Sequence, residues 1–339
     1  IHYLFGNQTE QKLKDFRSFG GVQSYPSRTK DTVEVDFSTG SVGLGAAVTT
    51  FAAYMQDYLK LKDLHSPLTL NESRDARFIA LVGDAELDEG NVYEALMESW
   101  RLDIKNNWWI IDYNRQSLDK VSQDANHRQI ERMFRSNNWD VVTLKYGKKL
   151  MNAFRGPGGR GLKKWINETD NETYSALTFQ GGAAFRKHIL KHSNNDPLVS
   201  AQLSTYTDEE LFDIVTNLGG HCIETLIEAF NHIEDDSNVC FIAYTVKGYG
   251  LPFAGHRDNH GLFLNSKQID QLQSKNNIPE GEEFEKLSGF DDPTTIQQFL
   301  DKVPFNNKEI GSRDLGSQTT VVDVPDVLPM KYLPETSTQ

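Results

Sequence analysis

Two side chains stand out by type and position. Asp84 follows the apolar run Arg77-Phe78-Ile79-Ala80-Leu81-Val82-Gly83, and Asn114 follows the run Trp108-Trp109-Ile110-Ile111-Asp112-Tyr113. They are thirty residues apart, which fits one strand end, a helix and the next strand end. A carboxylate and an amide oxygen are both hard donors, and in an open parallel sheet both would face the crevice beyond the strands' carboxyl ends. Magnesium takes oxygen ligands in near-octahedral geometry and shares them with phosphates. Asp84, Asn114 and one backbone carbonyl would leave places for two phosphate oxygens and a water. Taken singly, Asp84 caps the following helix and Asn114 closes a strand; the pair at this spacing favours a metal–diphosphate crevice.

Other groups stand at equally informative places. Gly40-Ser41-Val42-Gly43-Leu44-Gly45 precedes Ala46-Ala47-Val48, and small residues at a helix start allow close packing or close approach to a ligand. Glu86, two residues past Asp84, reads equally as a solvated turn acid or as a neighbour of the diphosphate. Gly255-His256-Arg257-Asp258-Asn259-His260-Gly261 follows the last apolar run, so its two histidines also lie at a carboxyl end, where imidazoles move protons near neutral pH. A metal pair from His256 and His260 would need a helix to align both rings, and the flanking glycines argue against one. The bland alternative is a surface loop. The remaining histidines, among them His127 and His221, have no partner pattern and read as surface or packing residues.

The elements that must position these groups recur along the chain. Near-continuous apolar runs at 77–82, 108–113, 139–144 and 239–246 suit parallel strands covered on both faces. Between them, Val92, Leu96 and Trp100 keep helical spacing from Glu89 to Leu102, as do Ile223, Leu226, Ile227 and Phe230 from Ile223 to Ile233. The expectation is an α/β fold, a doubly wound, mostly parallel sheet with helices on both faces. Arg155-Gly156-Pro157-Gly158-Gly159-Arg160-Gly161 reads as a surface loop, and no internal repeat is found.

Composition narrows the class. With 339 residues, 38% hydrophobic and 24% charged, the chain is an ordinary folded protein rather than a disordered or fibrous one. A net charge of −13 argues against a nucleic-acid surface, which needs clustered Lys and Arg; a local basic pocket for a phosphorylated ligand remains compatible. Cys222 and Cys240 make no CxxC pair and read as buried thiols in a reducing compartment, the cytoplasm by default. The stretch Val42 to Met55 is too short and too polar to span a bilayer. Residues 1–304 read as one domain that begins as if a helix were under way, and Phe305 to Gln339, spaced by Pro325, Pro329 and Pro334, reads as a linker.

From Gly83 to Asn114 the sequence resembles the thiamine diphosphate motif of transketolases and 2-oxo acid dehydrogenases, a Gly-Asp-Gly followed at this spacing by Asn. The likeness extends to Ser38–Gly45, Asp88-Glu89-Gly90 with Glu94, Asn114–Asp119, Asn167-Glu168-Thr169 and Lys247-Gly248-Tyr249-Gly250. It is greatest with the homodimeric type of pyruvate dehydrogenase decarboxylating component. One position departs: Ala85 stands where the family usually has Gly. The resemblance implies thiamine diphosphate and Mg2+ as cofactors. It implies Asp84, the Asn114 side chain and the Gln116 carbonyl as metal ligands. Gly40, Val42, Gly43, Gly83, Ala85 and Glu86 would lie against the cofactor, and His260, with His256, would handle protons or substrate. The implied activity is decarboxylation of a pyruvate-like 2-oxo acid with acyl transfer to a lipoyl carrier. Two-carbon ketol transfer between sugar phosphates is the alternative, and a non-catalytic subunit retaining the fold a second. Implied partners are a pyrimidine-binding domain, on a longer chain or a separate subunit, in a homodimer or heterotetramer, and a lipoyl-bearing acyltransferase. A dinucleotide-dependent oxidoreductase lacks the G-x-G-x-x-G turn it would need.

Overall fold

The computed structural model describes residues 2–5, 8–25, 27, 35–62, 77–117, 120–122 and 126–303. The linker expected from Phe305 onward lies outside the described residues. The centre is a four-stranded, wholly parallel sheet of β1 (Phe78–Gly83), β2 (Asn107–Tyr113), β5 (Asp140–Leu144) and β6 (Val239–Tyr244), in the order β1-β2-β6-β5. A separate two-stranded antiparallel pair, β3 (Gln116–Ser117) and β4 (Lys120–Val121), follows β2 directly.

The apolar runs became strands because alternate residues found cover on opposite faces. Ala80, Val82, Trp109, Ile111, Cys240 and Ile242 point into the main core. Trp108, Val239, Phe241 and Leu144 form a smaller core on the other face. The main face is covered by helix Leu44–Leu61, whose small Ala46, Thr49, Thr50 and Ala53 are buried, by helix Gly90–Arg101 through Val92, Ala95 and Leu96, and by helix Asn126–Ser136 through Ile130 and Phe134. The second face is covered by helix Ile223–Asn231, with Leu226 and Phe230 packed against the sheet. Cover there stops short of β1, whose Ile79 and Leu81 are exposed among the described residues. The α/β fold class and the parallel sheet with helices on both faces are as expected.

Several expectations change. Trp100 keeps helical spacing with Val92 and Leu96, yet it is 50% exposed, because the buried stripe of its helix runs through Ala95 and Ser99 instead. Ile223 and Ile227 are likewise exposed. The Arg155–Gly161 stretch is not a plain surface loop: Gly158 and Gly159 are buried, and helix Gly159–Glu168 begins within it. A Cβ on Gly159 would lie 2.1 Å from the Phe154 carbonyl oxygen, so these glycines allow backbone to pack on backbone. Between β5 and β6 the chain also inserts a helical layer, from Lys148–Ala153 to Asp208–Thr216, which adds Leu150, Trp165, Phe185 and Leu211 to the main core.

Candidate active site

Register brings the first pair together. Gly83 pairs with Asp112, so Asp84 and Asn114 emerge side by side at the carboxyl ends of β1 and β2. Asp84 opens a 3-10 turn, Asp84–Asp88. Ala85 sits within that turn without left-handed backbone, so its methyl group is accommodated in the chain itself. After β2 the backbone bends sharply. The Asn114 amide N–H donates to the Asp112 carbonyl at 3.0 Å, Arg115 takes φ 64°, and the Gln116 N–H donates back to Asn114 Oδ1 at 2.9 Å. A buried, non-glycine residue in the left-handed region costs of order 1–3 kcal/mol and gathers at functional sites.

That bend feeds Asp84. The Arg115 N–H donates to Asp84 Oδ2 at 2.8 Å. The carboxyl group is buried, and burial lifts its pKa to about 6, with the Asp112 carboxylate adding to the rise and the Arg115 and Ala85 amides opposing it. Asp84 forms no ion pair with any described residue. Asp112, half-buried beside it, accepts from the Asn114 amide at 3.2 Å and from the Thr245 hydroxyl. Two carboxylates gathered at a strand-end crevice without an ion pair among the described residues, beside an amide and a turn of backbone carbonyls, offer a hard oxygen set of the kind that suits a divalent cation holding phosphates. Among the described residues no cluster of three or more His, Cys, Asp or Glu side chains is placed to hold a metal, so a metal here would draw on amide and backbone oxygens.

Glu86 links two segments that are distant in sequence. Its Oε1 accepts from the Gly83 N–H at 3.2 Å, and its Oε2 accepts from the Gly43 N–H at 3.0 Å. Gly43 is the N-cap of helix Leu44–Leu61 with φ 76°. The Val42 carbonyl beside it accepts from Asn91 at 3.0 Å, while the Val42 side chain is exposed. Glu86 and Gly40 share a cleft of about 360 Å³ with Asp36, Thr39 and Thr49. The Glu86 side chain is half-buried, and each of its oxygens accepts one backbone N–H.

Gln116 connects this crevice to the histidine loop, donating from Nε2 to the Gly255 carbonyl at 3.3 Å and to the Ser175 hydroxyl at 3.2 Å. His256, next in the chain, packs its ring edge against Phe179 at 4.8 Å and accepts from the Asp258 N–H at Nδ1. Phe179 also lines a larger cleft of about 760 Å³ with Phe212 and Tyr249, one that contains neither Asp84 nor Asn114. His260 is exposed, and its Nδ1 lies 3.2 Å from Lys247 Nζ, a contact that suits a neutral imidazole accepting there. Burial holds the Lys247 pKa below the usual lysine value, opposed by Asp84 and Asp112. Lys247 therefore stands between the acid pair and His260.

Sequence reasoning gave no role to Asp112, Arg115 or Lys247. Asp112 had a signal, a charge inside an otherwise apolar strand. Arg115 and Lys247 had none beyond their place in the quoted motifs. His221, read as a packing residue, accepts from the Val246 N–H at 2.8 Å and stacks on Tyr249 at 3.8 Å. Burial drops its pKa to about 4, so it stays neutral. Both cysteines are buried free thiols.

Comparison with known proteins bears on this arrangement. Residues 1–155 match the family described as "Transketolase, thiamine diphosphate binding domain". Over that stretch the chain resembles thiamine-diphosphate-dependent enzymes. It is 25% identical over 296 residues to the pyruvate dehydrogenase E1 component of Escherichia coli strain K12, covering 84% of this chain and 32% of that one. It is 27% identical over 288 residues to the pyruvate dehydrogenase E1 component of Buchnera aphidicola subsp. Schizaphis graminum, covering 82% and 31%. Among solved structures it is similar to a transketolase variant from Pichia stipitis, with TM-score 0.52 and 18% identity over 90% of this chain and 34% of that one. That likeness shows the fold, which the chain shares with transketolase. The chain spans about a third of the length of the curated relatives it matches. No helix among the described residues is long and apolar enough to cross a membrane.

Proposed function

We propose that this chain supplies the metal–diphosphate half of a thiamine-diphosphate-dependent enzyme that decarboxylates a pyruvate-like 2-oxo acid and passes the acyl group to a lipoyl carrier. The observation that carries this reading is the buried Asp84 carboxylate, in no ion pair among the described residues, set beside Asn114 at adjacent strand ends. Asp84, the Asn114 side chain and the Gln116 carbonyl would hold Mg2+. The backbone of Gly40, Val42, Gly43, Gly83 and Ala85, braced by Glu86, would lie against the cofactor. When bound, thiamine diphosphate supplies the electron sink for cleavage next to a ketone.

The chain's own residues do the rest. Asp84 would hold the cation that offsets the diphosphate charge, and its buried carboxylate, poorly solvated, is favoured in its charged form by a bound cation. Glu86 fixes Gly43 against Gly83, so that the loop at the helix start and the turn after β1 keep one spacing. Gln116 ties the histidine loop to the same bend. His260, held by Lys247, accepts or returns a proton at Nε2 when substrate is present, and His256 anchors the loop against Phe179. Ketol transfer between sugar phosphates has support from the family match over residues 1–155 and from a shared fold, whereas pyruvate dehydrogenase E1 components align over most of the chain. The rest of the site would come from a pyrimidine-binding domain in a homodimer or heterotetramer.

Calorimetric titration with thiamine diphosphate and Mg2+ tests the proposal. Asp84→Ala and Asn114→Ala should each weaken metal-dependent cofactor binding at least tenfold, since a charged hydrogen-bonding or ligating contact is worth about 1.5–3 kcal/mol. Unchanged affinity in both variants would sink the metal assignment. Tight cofactor binding without decarboxylation of any 2-oxo acid, even with a pyrimidine-binding half added, would favour a non-catalytic subunit.

A further inference from the structure

Three cations lie along the same sheet edge: Arg115, whose backbone N–H meets Asp84, Lys145 beyond β5, and Arg128. Leu144 pairs with Ala243, and Tyr244 pairs with Tyr113. Lys145, the residue after β5, therefore stands beside Tyr244 and then Tyr113. The Tyr244 ring has Lys145 Nζ on it at 5.7 Å and Arg115 Cζ also at 5.7 Å. Tyr113 meets the same ring at 4.8 Å, and His127 meets it at 6.0 Å. Arg128 lies one residue beyond His127, in the first turn of helix Asn126–Ser136, and adds its charge at Lys145.

None of the three cations is paired with a described carboxylate. Lys145 bonds only the neutral amide oxygen of Asn167. Arg115 gives one nitrogen to the Thr245 carbonyl and lies over the Tyr174 ring, leaving Nε buried without a partner. The acids that act on the neighbourhood are Glu131 and Asp112, engaged by the Thr143 hydroxyl and by Thr245 and Asn114, and Asp84, which accepts the Arg115 N–H. Burial, then Arg115 and Arg128, hold the Lys145 pKa down to about 8. Like charges gathered on half-buried aromatic walls are unfavourable unless an anion joins them.

We propose that Lys145 and Arg115, set around Tyr244 at the carboxyl ends of β2, β5 and β6, with Arg128 at the start of the neighbouring helix, form a binding site for a compact oxyanion, a phosphate or carboxylate group of a small ligand. It adjoins the Asp84 crevice through Arg115 and extends away from it to Lys145. Two strands lie between β5 and β1, which places Lys145 about 14 Å along the sheet edge from Asp84 at the usual strand spacing. Charged hydrogen bonds and the stiff guanidinium fork give such a site its affinity, and the ring faces keep the cations partly desolvated.

The test uses the 339-residue chain without thiamine diphosphate or metal, so its outcome is independent of the cofactor titration. Inorganic phosphate and succinate are titrated separately at constant ionic strength, which removes general screening, with binding followed by NMR line broadening of each ligand. Lys145→Met should weaken binding about tenfold and Arg128→Gln severalfold, the scale of losing one charged contact. Lys267→Met, on a remote exposed helix, should change nothing. Arg128 is exposed, so its variant reports on the site even if Lys145→Met were to disturb folding. Binding of phosphate alone assigns the site to phosphoryl groups, and binding of succinate alone assigns it to carboxylates. Absence of binding by both anions, equal affinity in wild type and both variants, or loss only in Asp84→Ala overturns the proposal.

Discussion

Asp84 burdens the fold that carries it. Its native pKa of about 6 lies above the ordinary 3.8, so the folded protein binds more protons than the unfolded chain between those values. Stability from this group is therefore highest below about pH 4 and falls as pH rises toward 6, remaining low at neutrality. A two-unit shift corresponds to about 3 kcal/mol, an upper bound for one buried carboxyl. Asp84→Asn removes the charge while its amide oxygen still accepts from the Arg115 N–H. In metal-free protein at pH 7 the variant should be more stable by about 1–3 kcal/mol, and the gain should vanish below pH 4. Chemical denaturation across that range checks it. A destabilised Asp84→Asn at pH 7 would mean that the carboxylate holds the fold together rather than straining it. Stability given up at a residue of this type is the expected cost of a preorganised site.

Glycine does specific work at the start of helix Leu44–Leu61. Gly43 has φ 76°, and a Cβ there would lie 2.5 Å from Asn91 Oδ1 and 2.6 Å from Val92 Cγ2. Both neighbours belong to helix Gly90–Arg101, so the glycine sets how closely two elements of the site approach. Gly43→Ala should cost about 2 kcal/mol or more, from left-handed backbone strain plus overpacking. Gly40→Ala is the matched control: a Cβ at Gly40 meets nothing within 4 Å, and its cost should stay within about 0.5 kcal/mol. Equal urea midpoints for the two variants would contradict this account. The same physics runs through Gly158 and Gly159, where helix Gly159–Glu168 packs against the backbone of Phe154 and Val199.

At the scale of the whole molecule, the residues proposed to hold the metal lie on two strand ends, and the chain spans about a third of the relatives it matches. The proposed chemistry also needs a carboxylic acid against the cofactor's pyrimidine, which the resemblance assigns to a second domain. The 339-residue chain, supplied with thiamine diphosphate, Mg2+ and pyruvate, should bind cofactor yet show no multiple turnover. An added pyrimidine-binding half should restore it. Robust turnover by this chain alone would refute the requirement, whether pyruvate or a ketose phosphate is the substrate.

The sequence by itself determined the sheet and the place of the acid–amide pair. Parallel strands covered on both faces must be continuous apolar runs, and they end where a polar residue first meets the crevice, so Asp84 and Asn114 were legible from local pattern and spacing. Tertiary structure decided the rest, because it depends on which surfaces meet. Nothing local marks Glu86 as the brace to Gly43, or Lys145 as the neighbour of Tyr244; strand order and register bring them there. The burial of Leu226 and the exposure of Ile223 and Trp100 have the same origin. Helical periodicity states which residues share a face, and only the packed partner determines how wide a stripe of that face is removed from water.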